Sequence, residues 1–229
     1  MDWADFPRES VECMLCGADE PIHLSTQRSW PVSRCGKCGF IYLSQRPVEE
    51  ALEEMYSKEY YDSAEVGYGG YVENFRKYND IFTRLFDRRA RDLEPFRGSG
   101  GLLEVGCAHG FLLDHLRKKN WSVTGVEVSP LAAGYASKEL GLPVKNCSLE
   151  DAGFPEGSFD VVLLLDVLEH LHRPFDTLRE IGRVLARGGP GGSVPMGAHP
   201  LGGTGGGFSE GHEALHHNPR CGTGPPLFL

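Results

Sequence analysis

The stretch Leu102-Leu103-Glu104-Val105-Gly106-Cys107-Ala108-His109-Gly110-Phe111-Leu112-Leu113 decides the fold. An apolar run closes on a carboxylate, passes through a glycine-rich bend and enters a second apolar run. That order is expected of a buried strand, a ligand-binding loop and the start of a helix. A second carboxylate, Glu127, closes the next apolar run, Val123-Thr124-Gly125-Val126-Glu127. Its separation from Glu104 is close to the ~20 residues at which an acid reads a ribose held by the neighbouring loop.

The glycine order narrows the ligand. A dinucleotide loop runs G-x-G-x-x-G, with bare amides facing a pyrophosphate. Here the order is Glu104-x-Gly106-x-Ala108-x-Gly110, with the acid ahead of the first glycine. A carboxylate there would repel a pyrophosphate and suits a cationic group, such as the ammonium of a methionine moiety. Gly106 and Gly110 allow a sharp bend and close backbone approach, and Ala108 keeps the loop thin. Glu127 would accept charge-assisted hydrogen bonds from both ribose hydroxyls. The plain alternative is a strand–turn–helix corner with exposed acids.

With these residues in view, residues 98–189 resemble the class I S-adenosylmethionine-dependent methyltransferases. The Glu104 loop is similar to their first motif, and the Val126-Glu127 strand end to their second. Ser148-Leu149-Glu150-Asp151 stands where that family holds the adenine. Phe159 to Leu171, which includes Asp166, resembles their fourth strand and the loop after it. The resemblance implies a cofactor site built from Glu104, Gly106, Cys107, Ala108, Gly110, Glu127, Val128, Ser148, Leu149 and Asp166, with S-adenosyl-L-methionine as cofactor.

Composition limits the alternatives. With 229 residues, 40% hydrophobic and 24% charged, the chain is globular in character and holds one medium domain with an appendage. A formal charge of −9 and an isoelectric point near 5.5 argue against a nucleic-acid surface. No apolar run approaches the ~20 residues of a membrane span. Met1-Asp2-Trp3-Ala4-Asp5 lacks the basic and apolar regions of a signal peptide, so a cytoplasmic location with reduced thiols is expected.

Four of the seven cysteines form two pairs, Cys13-x-x-Cys16 and Cys35-x-x-Cys38, with 18 residues between them. This is the spacing of a four-cysteine zinc site. Gly17 and Gly39 follow the second cysteine of each pair and permit tight knuckles whose amides face the sulfurs. The pattern reads as a zinc ribbon, with Phe40 to Leu43 as a strand leaving it. Four protein ligands make the zinc structural. Disulfides are the alternative, disfavoured by a reducing compartment. Cys107, Cys147 and Cys221 fit neither pair.

Four segments follow from these patterns: a zinc ribbon over 1–45, a helical connector or lid over 46–97, a cofactor-binding core over 98–189, and a Gly/Pro-rich tail over 190–229. In the connector, Pro47 is expected to open a helix. A longer helix carries Val72, Phe75, Phe82, Leu85, Phe86 and Leu93 at helical spacing and ends near Pro95. Tyr60 or Tyr61 either touches the cofactor or packs the connector. The core alternates strands (102–105, up to 127, 144–147, 160–165) with helices over 111–119, from Pro130 to Gly141 and over 174–186. Asn120 is a left-handed stop, Ser129 a cap, and Phe175, Leu178, Ile181 and Leu185 face inward. The fold class is α/β, a Rossmann-like, doubly wound, mainly parallel sheet, incomplete at the C-terminus, with ligand at the carboxyl ends of its strands.

Methyl transfer from an activated sulfonium mainly needs donor and acceptor held in line away from water. His170, just beyond the fourth strand, is a candidate general base, since a near-neutral imidazole suits that work. It is otherwise a loop histidine. Similarity to quinone O-methyltransferases leaves a third role open, with Glu169 and His170 beside a divalent metal. His172 is expected on the surface. After Arg187-Gly188-Gly189 the family continues into a fifth strand of apolar residues, whereas this chain runs Pro190-Gly191-Gly192-Ser193-Val194-Pro195. Such a tail is expected to be disordered, because it buries too little apolar area to offset its ordering entropy. It reads as the product of a reading-frame shift, or, more mildly, as a compositional linker.

The favoured function is S-adenosylmethionine-dependent methyl transfer to a small-molecule acceptor, on oxygen before carbon or nitrogen, with a ribbon that helps build the acceptor pocket. The alternative is a truncated, impaired cofactor-binding or zinc-ribbon protein-interaction module. A nicotinamide oxidoreductase is opposed by the glycine order and by Glu104. Neither a membrane nor a nucleic acid is an expected partner, and oligomeric state is not legible.

Overall fold

The computed structural model describes residues 6–27, 29–51 and 71–186, together with the backbone of 196–197. The expectations for the helix after Val48, for Tyr60 and Tyr61, and for most of the tail lie outside these residues.

The core is a five-stranded parallel sheet. Its strands are β6 (Gly101–Val105), β7 (Ser122–Val126), β8 (Val144–Lys145), β9 (Val161–Leu165) and β10 (Met196–Gly197), in the order β10-β9-β6-β7-β8. Glu104 pairs with Gly125 on one side and Leu163 on the other, so the loops after β6, β7 and β9 open on one sheet end. All of β9 except its last residue is buried, as continuous apolar composition requires of a strand covered on both faces. Helices fill the two faces. One core packs Leu102, Leu113, Leu116, Trp121 and Val161, and the other packs Leu103, Val126, Leu149, Val162 and Ile181.

Local signals explain the crossovers. The helix α3 (Phe111–Arg117) starts from Gly110 in the left-handed region, and the turn after it stops at Asn120, φ +64°. The helix α4 (Pro130–Lys138) has Ser129 as its cap, accepting from the Ala132 amide, and Pro130 at its first position. Gly125 on β7 is needed for packing. A Cβ there would lie 2.6 Å from Cys107 Sγ and 2.9 Å from Leu113 Cδ1.

Ahead of the core are two small sheets. The strands β2 (Pro21–Gln27), β3 (Trp30–Cys35) and β4 (Ile41–Leu43) form an antiparallel three-stranded sheet, and β1 (Arg8–Ser10) pairs with β5 (Gln45–Pro47). Trp30 and Tyr42 are fully buried in this unit. Arg8 lies over the Trp30 ring at 4.4 Å, a cation–π contact that covers its face.

The structure corrects several expectations. Pro47 ends a strand instead of opening a helix, because β1 supplies a pairing partner, Arg8. The single connector helix is two, α1 (Tyr71–Lys77) and α2 (Asn79–Leu93), divided at Tyr78 (φ −109°, ψ 24°). The break lets Phe75 fold back to stack on Phe111 of α3 at 3.8 Å while Phe86 stays beside it. In α5 (Pro174–Val184) Phe175 is exposed, and Thr177 takes the inward place by donating to Glu150. The tail also contributes to the sheet: Met196 and Gly197 pair in parallel with Leu164 and Leu165. Among the described residues, no helix is long and apolar enough to cross a membrane.

Replacing Gly125 by Ala should lower the unfolding free energy by roughly 1–3 kcal/mol, the usual cost of overpacking. Urea denaturation would register this as an earlier midpoint at unchanged slope. An unshifted midpoint would mean that the Cys107–Leu113 contact is slack.

Candidate functional site

The site grows from the ends of β6 and β7. The chain leaves β6 through three left-handed residues, Gly106 (φ +69°), Ala108 (φ +47°) and Gly110 (φ +77°). Amides of Gly106 and Cys107 donate to the Val126 carbonyl at 2.9 and 3.1 Å, which ties the loop to the neighbouring strand. The space a Cβ would need at Gly106 is occupied by Val167 Cγ2, and at Gly110 by Leu142 and Ala136. These glycines therefore serve the bend and the protein's own packing. Ala108 accepts the strain of a positive φ without a glycine, a cost that surrounding structure must offset.

Glu127 organises this loop. Its Oε2 accepts from the Ala108 amide at 2.9 Å and its Oε1 from the Ser129 amide at 2.8 Å. Each carboxylate oxygen keeps a second lone pair for an outside donor. Burial pushes its pKa up, against the Ser129 and Ala108 amide hydrogen bonds, which favour the ionised form. Glu104 is in a different state. It is buried, and its Oε2 has no hydrogen-bond partner. Burial pushes its pKa up to about 8, with Arg89 of α2 drawing it down and Glu127 adding to the rise. A buried acceptor with nothing to accept from is costly, so this is where a cationic donor fits.

The remaining expected residues lie on the loops that leave the same sheet. Asp166, at the end of β9, is left-handed at φ +53°, the second strained non-glycine position at this sheet end. Ser148 Oγ donates to Asp151 Oδ2 at 2.7 Å and accepts from its amide, forming a compact turn after β8. Leu149 is fully buried in the core, so only its backbone faces outward possibilities. The side chain of Val128 is exposed, and Cys107 is buried, with its thiol pKa pushed up by burial. His170 ends a short turn over Leu168–His170. Burial lowers its pKa to about 4, with Asp166 opposing, so its imidazole is neutral at ordinary pH.

Comparison with known proteins adds a family match in the core. Residues 103–190 match a family model described as a methyltransferase domain. Over 106 residues the chain is 39% identical to the mitochondrial ubiquinone biosynthesis O-methyltransferase of Schizosaccharomyces pombe, covering 43% of this chain and 37% of that protein. It is 30% identical over 134 residues to the ubiquinone biosynthesis O-methyltransferase of Pseudomonas paraeruginosa, covering 49% of this chain and 58% of that protein. A crystal structure of an S-adenosylmethionine-dependent methyltransferase from Mesorhizobium loti overlaps 44% of this chain and 48% of its own, at 21% identity and a TM-score of 0.39. The chain thus spans from about two fifths to just under three fifths of the curated relatives' length.

Outside residues 103–190, the four cysteines do come together. The Sγ atoms of Cys13, Cys16, Cys35 and Cys38 all lie within 4.8 Å of one another. Cys13 and Cys38 are 3.5 Å apart and Cys16 and Cys35 3.6 Å, and all four are free thiols. Gly17 and Gly39 are left-handed, and their amides donate to the carbonyls of Cys13 and Cys35 to close the two knuckles. The cluster splits its proton affinities. Cys35 is held down to about 6 by the Cys38 amide, while at Cys16 burial and the neighbouring thiols overcome the Ala18 amide and push it up to about 12.

One residue runs against expectation. His172 is buried instead of lying on the surface, with Nε2 donating to the Pro47 carbonyl at 2.8 Å. Arg46 donates to its carbonyl from the far side of the sequence at 2.8 Å. No periodicity signals a contact between residues 126 apart.

Glu104 makes stability depend on pH. Its folded pKa is raised, so the stability associated with its neutral form is complete below about pH 4.5 and is lost as pH rises through about 8. Without ligand, the unfolding free energy should fall across that window, and Glu104→Gln should remove most of the fall. Denaturation series of both proteins measure this; parallel curves would place Glu104 in contact with water.

Proposed function

We propose that the chain is an S-adenosylmethionine-dependent methyltransferase acting on a small-molecule acceptor, with oxygen the favoured target. The carrying observation is the buried, unpartnered Oε2 of Glu104 beside a left-handed glycine loop whose amides are already fixed by Val126 and Glu127. The names of the relatives, ubiquinone biosynthesis O-methyltransferases, support oxygen as the target atom.

In this reading Glu104 accepts from the cofactor's ammonium, which stabilises its ionised form. Glu127 receives the ribose hydroxyls on its remaining lone pairs. Gly106, Cys107, Ala108, Gly110 and Val128 give the backbone wall, Asp166 flanks it from β9, and Ser148 with the Leu149 backbone borders the adenine. The bound cofactor supplies a methyl group already activated on sulfur. His170, held neutral by burial, is the candidate to take the acceptor's proton. A conjugate acid near pH 4 makes it a weak base, so it suits acceptors that are themselves acidic, such as phenols.

The cysteine cluster fits zinc. Tetrahedral ligands at about 2.3 Å from a zinc ion stand roughly 3.8 Å from each other, near the sulfur separations found here. With four protein sulfurs the ion is structural and cross-links β3 to the turn before β2. The working organisation is ribbon 1–45, connector 46–97, core 98–189 and tail 190–229, in a reducing compartment such as the cytoplasm, with neither nucleic acid nor membrane as partner.

Calorimetric titration with S-adenosylmethionine should show one site, and Glu104→Ala and Glu127→Ala should each weaken it by at least about tenfold, the loss expected of a charged hydrogen bond. Undiminished affinity in both variants would contradict the reading. Tritium-methyl transfer to phenolic acceptors then separates turnover from binding alone. Metal analysis should find one zinc per chain, lost in Cys35→Ser; a metal-free protein with the ribbon intact would remove zinc from the account.

A further inference from the structure

We propose that Arg46 and His172 form a latch by which the cysteine ribbon positions the loop at the mouth of the cofactor cleft. The methyltransferase reading is needed for what the loop does, but not for the latch itself.

The latch is a pair of reciprocal hydrogen bonds across the two units. Arg46 Nη1 donates to the His172 carbonyl at 2.8 Å, and His172 Nε2 donates to the Pro47 carbonyl at 2.8 Å. Because a carbonyl only accepts, the ring must carry its proton on Nε2. Arg46 is itself oriented by Glu9, whose Oε1 accepts from its Nε at 2.7 Å. The side chains are 13% exposed at Arg46 and 3% at His172, so these bonds are shielded from water and from screening. The neighbouring Arg173–Glu49 pair is largely exposed and adds little.

Each side of the latch leads to chemistry. On the ribbon side, Arg46 and Pro47 lie on β5, which is registered on β1 as Glu9↔Arg46 and Arg8↔Pro47. The Val11 amide then donates to Ser44 at 3.1 Å, and Cys13 follows two residues on. The cysteine cluster thus lies two residues along the chain from the backbone paired with Arg46 and its neighbours. On the core side, His172 closes the loop that leaves β9. Its first residue is the strained Asp166, Val167 then packs into the space left by Gly106, and His170 follows. The loop is held at its start by β9 and Gly106 and at its end by Arg46 and Pro47. Asp166 itself is fixed by β9 and by Val167 against Gly106, so the latch acts on the residues that follow it. Arg46 and His172 are positioning residues. Neither is placed to touch a reacting atom.

Hydrogen exchange on the full-length, metal-loaded protein tests this. Amides of residues 167–173 should exchange about tenfold faster in Arg46→Ala, the effect of one charged hydrogen bond. Those of β6 and β7 should be unchanged, and affinity for S-adenosylhomocysteine should stay within about twofold, as expected of distant sites. His172→Gln, whose amide can still donate to Pro47, should exchange more slowly than His172→Ala, a rescue that a general loss of packing would not produce. Chelation of the metal should speed exchange in the same loop. Where transfer is assayed, kcat falls in Arg46→Ala while KM for the methyl donor holds. Wild-type protection of residues 167–173 in both Arg46→Ala and His172→Ala overturns the latch. Faster loop exchange in a protein that binds no S-adenosylhomocysteine supports the latch and removes only the methyltransferase reading.

Discussion

Two carboxylates placed at the ends of adjacent parallel strands, both buried, are the constraint on which the rest of this structure turns. They are not equivalent. Glu127 satisfies itself with the amides of Ala108 and Ser129 and so fixes the loop between β6 and α3. Glu104 is left with a bare oxygen in an apolar setting, which raises its pKa to about 8. A buried carboxyl with no partner, beside one that holds its loop, is a place where positive charge would be stabilised. The left-handed residues Ala108 and Asp166 store backbone strain at the same sheet end, as ligand sites commonly do.

The order of elements was legible because each rests on local chemistry. Continuous apolar residues in Val161–Leu165 demand burial on both faces, and Ser129-Pro130 can only open a helix. The acid-before-glycine order of 104–110 distinguishes this loop from a pyrophosphate binder. The paired cysteines likewise converge, because two knuckles with Gly17 and Gly39 have few other ways to fold.

What escaped the sequence depends on contacts between distant segments. Pro47 looks like a helix start until β1 supplies a partner for Arg46 and its neighbours. The helical spacing of Phe75, Phe82 and Phe86 carries no sign of the break at Tyr78, which is set by stacking on Phe111. Phe175 faces water because Thr177 has a hydrogen-bond partner in Glu150, and a periodicity rule cannot weigh that. His172 reads as a solvated loop residue, yet it carries the joint between ribbon and core. The glycines also have a second meaning: Gly106 and Gly110 make room for Val167 and Leu142, so their small size serves the fold before any ligand arrives.

Proton release on ligand binding tests the central claim most directly. Glu104 is mostly neutral near pH 7 in the free protein, and pairing with an ammonium should ionise it. Titration with S-adenosylmethionine in buffers of different ionisation enthalpy should therefore show close to one proton released per site near pH 7, and almost none in Glu104→Gln. Binding heats independent of buffer in the unmodified protein would mean that Glu104 does not meet the cation, and the electrostatic account of the site would fail.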